Sequence, residues 1–506
     1  MTLATRPGVY LRAASITAVL VGMGSLLGFG RDLLLARIFG ASAASDAFLV
    51  AWMVPETAAP LLIEGAMAFL LVPLFSRALE QGDDVRQVVA ETLPTLAAAL
   101  MAISAAAALG APWLVESLAP GIADPGLAVA CTRLTSVTVL MFGLAGYLSA
   151  ALRAHQSFTA PAAIYVAYNL GIIAFIVVLH DVLGVLAAAL GVMAGGVAMV
   201  AVQFPAFVRR VGLPRLAACG VLIPLGAFAP IAAFSLLRQG QVFVERFLGS
   251  SLTTGSISQM NYAQKIAQVP MVLSLIVATV TFPRLVRSVT AGDTAAARRR
   301  IVGDLEMAGL MVLLAATALV VFAPEIVRVL LEQGAFTEAD TAATAYFMRV
   351  YTLGLLGQTV VGVVCRVYFC TARPTWFPAV AMTVGLLVTG GTAAVAVPYW
   401  GAGGIAAANA AGITLTALIL LAGLGVPEVG LSLRALVPTA VHLALPTVAA
   451  FLTGILIRPY LAGLPAITLL VLGAALMALV FCACSAITGP KEIIRMMQTW
   501  PTGDRA

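Results

Sequence analysis

Apolar residues fill this chain in blocks of about twenty, separated by short polar breaks. The blocks are too long for strands, and too evenly apolar for helices with one wet face. A helix that crosses the hydrocarbon of a bilayer needs roughly 20 such residues. On that rule the pattern predicts helices over 10–30, 44–76, 88–110, 127–152, 160–179, 182–207, 219–247, 255–286, 301–323, 341–365, 376–397, 401–424, 436–457 and 465–487. That makes fourteen, and the expected fold class is an all-α polytopic membrane protein. The second and eighth helices are long, and Pro55 and Pro270 predict kinks in them. The first apolar run follows Arg6 and Arg12 and lacks a small-x-small cleavage site, so it reads as a retained first span.

Composition agrees. The chain is 61% hydrophobic and 10% charged, against about 25% charged for a soluble domain. No hydrophilic stretch is long enough for a separate soluble domain, so function must be built within or beside the bilayer. The six cysteines form no Cys-x-x-Cys pair and read as small core residues. His155, His180 and His442 are scattered, which predicts no metal site. The net charge of +6 reflects basic loops rather than a nucleic-acid partner. Arg77, Arg86, Arg153, Arg209, Arg210, Arg215, the Arg298–Arg300 run, Arg373 and Arg434 fall in the even-numbered loops, and Arg6, Arg12, Lys491 and Arg495 in the tails. The odd-numbered loops are poor in them, so both termini are expected on the cytoplasmic side.

The halves also read as copies. "VPLFSRALEQGD" (72–83) matches "FPRLVRSVTAGD" (282–293) at Pro, Arg, Gly and Asp. "ARIFGAS" (36–42) matches "ERFLGSS" (245–251), and "LRAHQSFTAP" (152–161) matches "CRVYFCTARP" (365–374). The offset is near 210 residues each time, about six helices. An even number of helices per copy keeps the copies parallel. The expected organisation is an N-terminal lobe over 1–215, a C-terminal lobe over 216–430, and two extra helices with a tail over 431–506.

A charge inside a spanning helix costs several kcal/mol, about 3, unless it meets a partner or a wet cavity. The first two helices and the link between them carry Arg31, Asp32, Arg37, Asp46, Glu56 and Glu64. The seventh carries Arg238, Glu245 and Arg246, the eighth Lys265, and the tenth ends at Arg366. They fall at equivalent places in both halves, as a hydrophilic cleft between two lobes requires. Guanidinium groups suit planar anions and phosphate above all, so the set favours an anionic substrate. For any single residue an internal ion pair between helices is an equally good reading, and Arg31–Asp32 and Glu245–Arg246 are adjacent in sequence.

These residues lie in stretches that resemble the MurJ/MviN family, the lipid II flippases of the MOP superfamily. The resemblance is carried by "LGFGRDLLLARIFGASAASDAFLVAWMVPE" (27–56), "EGAMAFLLVPLFS" (64–76), "LRAHQSFTAPAAIYVAYNLGII" (152–173), "GSISQMNYAQKIAQVP" (255–270), "LEQGAFTEAD" (331–340) and "CRVYF" (365–369). It implies a fourteen-helix alternating-access transporter of the bacterial cytoplasmic membrane, not an enzyme, moving an undecaprenyl-diphosphate-linked peptidoglycan precursor. The partners implied are that polyprenyl-linked saccharide and membrane lipids, with cell-wall synthesis machinery as a candidate. The two extra helices would hold the polyprenyl tail. Carried over by motif, Arg31 would bind diphosphate, Asp32 would orient it or gate, and Asp46, Glu64 and Lys265 would line the cleft. Arg246 and Arg366 are added as substrate-binding candidates. Arg37, Glu56, Arg238, Glu245, Pro55 and Pro270 are read as gating or structural.

The chain departs from the family pattern in places. Ser25 stands six residues before Arg31 where the family often has Arg, and "PETAAP" (55–60) replaces an arginine-bearing stretch. Gln264 replaces an acidic neighbour of the eighth-helix base. Two outcomes stay open: Arg238, Arg246 and Arg366 compensate, or the cargo is another lipid-linked oligosaccharide of the exopolysaccharide or O-antigen type. A MATE-like cation-coupled drug exporter is a further rival, kept open by Asp32, Asp46, Glu56 and Glu64. A membrane enzyme would need a catalytic constellation on a substantial loop, and a channel would need a filter. No Gly-rich phosphate loop or cofactor motif is present in the sequence.

Overall fold

In the computed structural model every described element is helical. The structure describes residues 7–82, 84–213, 229–290, 293–369, 375–425 and 431–488, without the side chains of 7–14, 64–69, 273 and 275–290. The chain divides into two compact units, residues 1–258 with 333–337, and residues 259–332 with 338–506. Among the described residues, ten helices are long and apolar enough to cross a membrane, or eleven if one bent pair is a single span.

The first unit contains α1 (Pro7–Phe39), α2 (Ala43–Ala51), α3 (Met53–Ala58), a π-helical segment (Ala59–Ala66) and α4 (Met67–Gln81). It continues with α5 (Val85–Leu109), α6 (Ala111–Leu118), α7 (Pro125–Ala154), α8 (Thr159–Leu183), α9 (Leu186–Arg210) and α10 (Ala229–Gly249). The sequence predicts the first helix to end near residue 30, yet α1 runs on to Phe39 through Arg31, Asp32 and Arg37. Charge does not end this helix because Arg31 and Asp32 neutralise each other within one turn. The second predicted helix is broken, as Pro55 leads one to expect, but into α2, α3, the π-helical segment and α4. π-helical turns inside helices are frequent at functional sites.

The prolines explain that break. Pro55 has no N–H, so the carbonyl of Ala51, four residues back, loses its helical donor. Thr135 of α7 supplies one, its hydroxyl donating to Ala51 O at 3.0 Å. Pro60 in the same way frees the carbonyl of Glu56, and the side-chain amide of Gln239 on α10 donates to it. Each orphaned acceptor is taken by a polar side chain of a neighbouring helix, which is what a proline in a membrane span requires.

The second unit begins within α11 (Ser256–Thr290), which passes Pro270 as one element. It holds α12 (Thr294–Val321), α13 (Ala323–Leu331), α14 (Glu338–Thr352), α15 (Leu355–Phe369), α16 (Phe377–Gly423), a short 3-10 turn (Leu433–Leu436), α17 (Val437–Leu461) and α18 (Ala466–Thr488). The tenth predicted helix is in fact two, α14 and α15, bent by 46°. Gly354 at that bend lies so close to Ala410 that a Cβ would come within 2.9 Å of its Cα. Two stretches expected as loops also hold short helices, α6 and α13. Both open with Ala-Pro, a start that suits a helix N-terminus. In α13, Ala323, Val327 and Leu331 are buried at four-residue spacing while Glu325 and Arg328 are not.

The units share local features. α5 and α12 are N-capped by Asp84 and Asp293, and each is followed at once by its Ala-Pro helix. Gly184, between α8 and α9, has φ 55° and ψ −139°. Gly401, inside α16, has φ 52° and ψ −135°. That region is open essentially to glycine alone. Gly401 therefore divides the 47 residues of α16 where the sequence pattern places the end of one span and the start of the next.

Large apolar side chains face outward along whole helices, as Ile467, Val471 and Leu479 do on α18. Such a surface suits lipid, not water. Cys131 and Cys365 are buried as expected of core residues, but Cys482 is exposed on that same outward surface.

Candidate functional site

The first unit builds a polar site around Arg31. Arg31 is only 7% exposed. Its Nε and Nη2 donate to Asp32 Oδ1 at 2.9 and 2.6 Å, and its Nη1 donates to Asn169 Oδ1 at 3.2 Å. The guanidinium carbon sits 4.2 Å from the ring centroid of Trp52, a cation–π contact. Asn169 on α8 is itself anchored, its amide donating to the carbonyls of Gly24 and Tyr165, both at 3.0 Å. Gly24 permits this approach of α1 to α8, since a Cβ there would come within 2.9 Å of Tyr165 Cβ. Trp52 is positioned by the break that Pro55 and Pro60 impose, and lies 6.3 Å from the Tyr168 ring. The Tyr168 hydroxyl is buried, makes no hydrogen bond among the described residues, and lies within electrostatic reach of Arg31, Asp32 and Glu56.

This arrangement presents a fixed cation and a paired carboxylate against an aromatic wall. A guanidinium oriented by Asp32, Asn169 and the face of Trp52 is preorganised for a planar or phosphate anion. Sequence reasoning singled out Arg31, Asp32 and Glu56, and missed Asn169, Trp52, Tyr168 and Gln239. The available signal was an Asn in the apolar run "YVAYNLGII" (165–173), where polar residues are expensive.

Asp46 lies elsewhere in the unit and is 4% exposed. Its Oδ1 accepts from the Ser258 N–H at 2.8 Å and from the Ser258 hydroxyl, and its Oδ2 accepts from the Gly255 N–H at 2.7 Å. These are donors at the N-terminus of α11, which a carboxylate satisfies well. Gly255 has φ 90°, and a Cβ on it would come within 2.6 Å of the Ala41 carbonyl, so the approach needs glycine. Beside this clasp the Ala335 N–H donates to Arg37 O at 2.9 Å, and the Gly121 N–H to Ser250 Oγ at 3.2 Å. Four odd-numbered loops of the predicted topology are thus knitted together within the one unit.

Arg246 lies within electrostatic reach of Asp46, and the other candidates are spread over the two units. Arg246 is 1% exposed and donates to the Ile257 carbonyl at 3.2 Å, with Glu245 buried beside it. Arg238 and Arg37 are exposed. Pro55 is buried in α3 and Pro270 is half-buried in α11. The side chain of Glu64 lies outside the described residues. Lys265 on α11 and Arg366 on α15 are half-buried in the second unit.

Comparison with known proteins places this geometry in a family. The chain is 29% identical over 420 residues to the lipid II flippase MurJ of Burkholderia cenocepacia, covering 79% of this chain and 81% of that one. It matches a solved structure of lipid II flippase MurJ in an inward closed conformation with a TM-score of 0.76 at 20% identity, over 93% of this chain and 98% of that one. An inward-facing multidrug resistance MATE transporter of the MOP superfamily matches with a TM-score of 0.67 at 13% identity, over 80% of this chain and 96% of that one. These structural likenesses show a shared fold. Residues 35–481 match the family model described as "Lipid II flippase MurJ", nearly the whole membrane-embedded length, and the chain belongs to that family.

Proposed function

We propose that this protein is a flippase that carries a polyprenyl-diphosphate-linked saccharide, lipid II first among them, across the bacterial cytoplasmic membrane. The observation that carries the reading is Arg31, a buried cation fixed by Asp32, Asn169 and Trp52 in a family of lipid II flippases. Arg31 would meet the diphosphate, and Asp32, its present counter-ion, would give way to it. Lys265 and Arg366 would add cations from the second half of the sequence. Asp46 would act as a clasp, since release of the α11 N-terminus must accompany any opening of the loops it ties.

The full architecture belongs to the same proposal. Splitting α16 at Gly401, joining α14 to α15 and α2 to α4, and counting α10 and α11 as spans gives fourteen crossings. The matched caps, Ala-Pro helices and Gly184–Gly401 turns support a parallel repeat of six crossings, with α17 and α18 outside it. The arginine distribution supports cytoplasmic termini. Alternating access would be rocking of one repeat against the other, driven by membrane potential, an ion gradient or consumption of the product.

The test is replacement of a bacterium's own lipid II flippase, under depletion, by this protein and by Arg31→Ala. Growth with the wild type and lysis with the variant, at equal membrane insertion, is the expected result. Normal flipping by Arg31→Ala would sink the assignment. A second cargo, another lipid-linked oligosaccharide, is favoured by Ser25, Gln264 and the arginine-free "PETAAP" segment. Lysis with a well-inserted wild type would select that cargo.

A further inference from the structure

Away from Arg31, the second unit carries another cluster of charge, at the membrane face where α12 and α17 end. Arg458, in the last turn of α17, donates Nε and Nη2 to Glu325 Oε1 at 3.2 and 2.8 Å. Glu325 lies in the first turn of α13. Arg349 on α14 acts electrostatically on both, and its Nε donates to the Val320 carbonyl at 3.0 Å. One guanidinium is therefore paired with the carboxylate, and a second lies within electrostatic reach of both. Arg458 spends Nε and Nη2 on Glu325, while Arg349 is held by Nε alone among the described residues. Several terminal N–H groups of the two forks are left for a ligand.

The surroundings say what kind of ligand. Beneath the cluster lies an apolar core of Val321, Phe322, Ala450 and Leu469. Beside it on α17, Tyr460 is 88% exposed, and the Arg458 side chain is 38% exposed. Tyr399 and Trp400, next to the Gly401 turn, are exposed as well. Exposed Tyr and Trp at the ends of spanning helices mark the head-group level of a bilayer. A net positive cluster at that level faces lipid phosphates, and each cation near such a surface attracts anionic lipid by about 1 kcal/mol. A fork of guanidinium nitrogens also fits phosphate oxygens better than an ammonium does.

We propose that Arg349, Arg458 and Glu325 form a binding site for the phosphate of an anionic lipid head group. In the orientation proposed above, that lipid belongs to the outer leaflet. Glu325 fixes the Arg458 fork and competes with the phosphate for it. The site is independent of the cargo and of Arg31.

The experiment is native mass spectrometry of the purified full chain in detergent. Phosphatidylglycerol, phosphatidylcholine and inorganic phosphate are titrated separately, and inorganic phosphate is also added in competition. Wild type, Arg349→Gln, Arg458→Gln and Glu325→Gln are compared, each first checked for a monodisperse profile. The arginine variants are expected to bind phosphatidylglycerol about fivefold more weakly, the equivalent of one cation. Glu325→Gln is expected to bind it several-fold more tightly, with phosphatidylcholine unchanged throughout. The opposite signs are decisive, and Glu325→Gln with Arg349→Gln decides the matter if Arg458→Gln does not fold. Unchanged phosphatidylglycerol binding in the arginine variants overturns the proposal. So does weaker binding in Glu325→Gln, which would mark a structural ion pair only. Displacement of the lipid by equimolar inorganic phosphate would overturn the lipid as ligand.

Discussion

Asp46→Ala removes the one carboxylate that satisfies the N-terminus of α11. It leaves the Gly255 and Ser258 N–H groups without their acceptor, at a position only 4% exposed, while the Ser258 hydroxyl keeps the Gly255 carbonyl. Each buried donor left unsatisfied costs about 1–3 kcal/mol. The two amides alone therefore put the loss at about 2 kcal/mol or more, before any contribution from the helix dipole. At 1.4 kcal/mol per factor of ten, local opening of the clasp rises about thirtyfold. Hydrogen–deuterium exchange reads this directly, since the amides of Gly255 and Ser258 are themselves the donors. Exchange across 253–260 is expected to accelerate by about that factor, while the Asp293 cap on α12 stays unchanged as an internal control. Asp46→Asn keeps one acceptor oxygen and falls between the two. Exchange at those amides within twofold of wild type, an outcome of about 0.4 kcal/mol or less, would refute the clasp.

Three further outcomes follow from particular contacts. Thr135→Val orphans the Ala51 carbonyl and is expected to cost about 1 kcal/mol in thermal stability, whereas adding Pro55→Ala restores a backbone donor and recovers most of it; a double-mutant cycle with no coupling would contradict this account of the break. Asn169→Leu cuts the tie from α8 to Arg31 and Gly24, and in the depletion assay it is expected to lower growth with normal insertion; wild-type growth would remove Asn169 from the site. In the second unit Glu306 and His442 face each other at 3.4 Å, both about 5% exposed, with Ser485 at 3.1 Å from His442. His442→Leu leaves the buried Glu306 carboxyl and the Ser485 hydroxyl without a polar neighbour and is expected to cost about 1–3 kcal/mol, while adding Glu306→Leu recovers part of it, as melting in detergent would show; equal stability of the single and double variants would refute the coupling.

Much of this protein is legible in its sequence because the bilayer is a simple solvent. A span needs a long apolar run, so the run lengths alone place nearly every helix, and the cost of intramembrane charge draws attention to Arg31, Asp32 and Asp46. The kink at Pro55 is local chemistry and is likewise foreseeable. Which groups answer these local demands is not. Asn169 and Trp52 hold Arg31, Thr135 and Gln239 take the carbonyls freed by Pro55 and Pro60, and Ser258 meets Asp46, all but Trp52 from helices distant in sequence. The bend at Gly354 shows the same division, for nothing local separates it from the other glycines, and it follows from the approach of Ala410 on α16. Solvent sets where polar groups are costly and thereby writes the spans and their charges into the chain. Packing alone decides which partner removes each cost, because a hydrogen bond depends on distance in space, and distance in space is what folding creates.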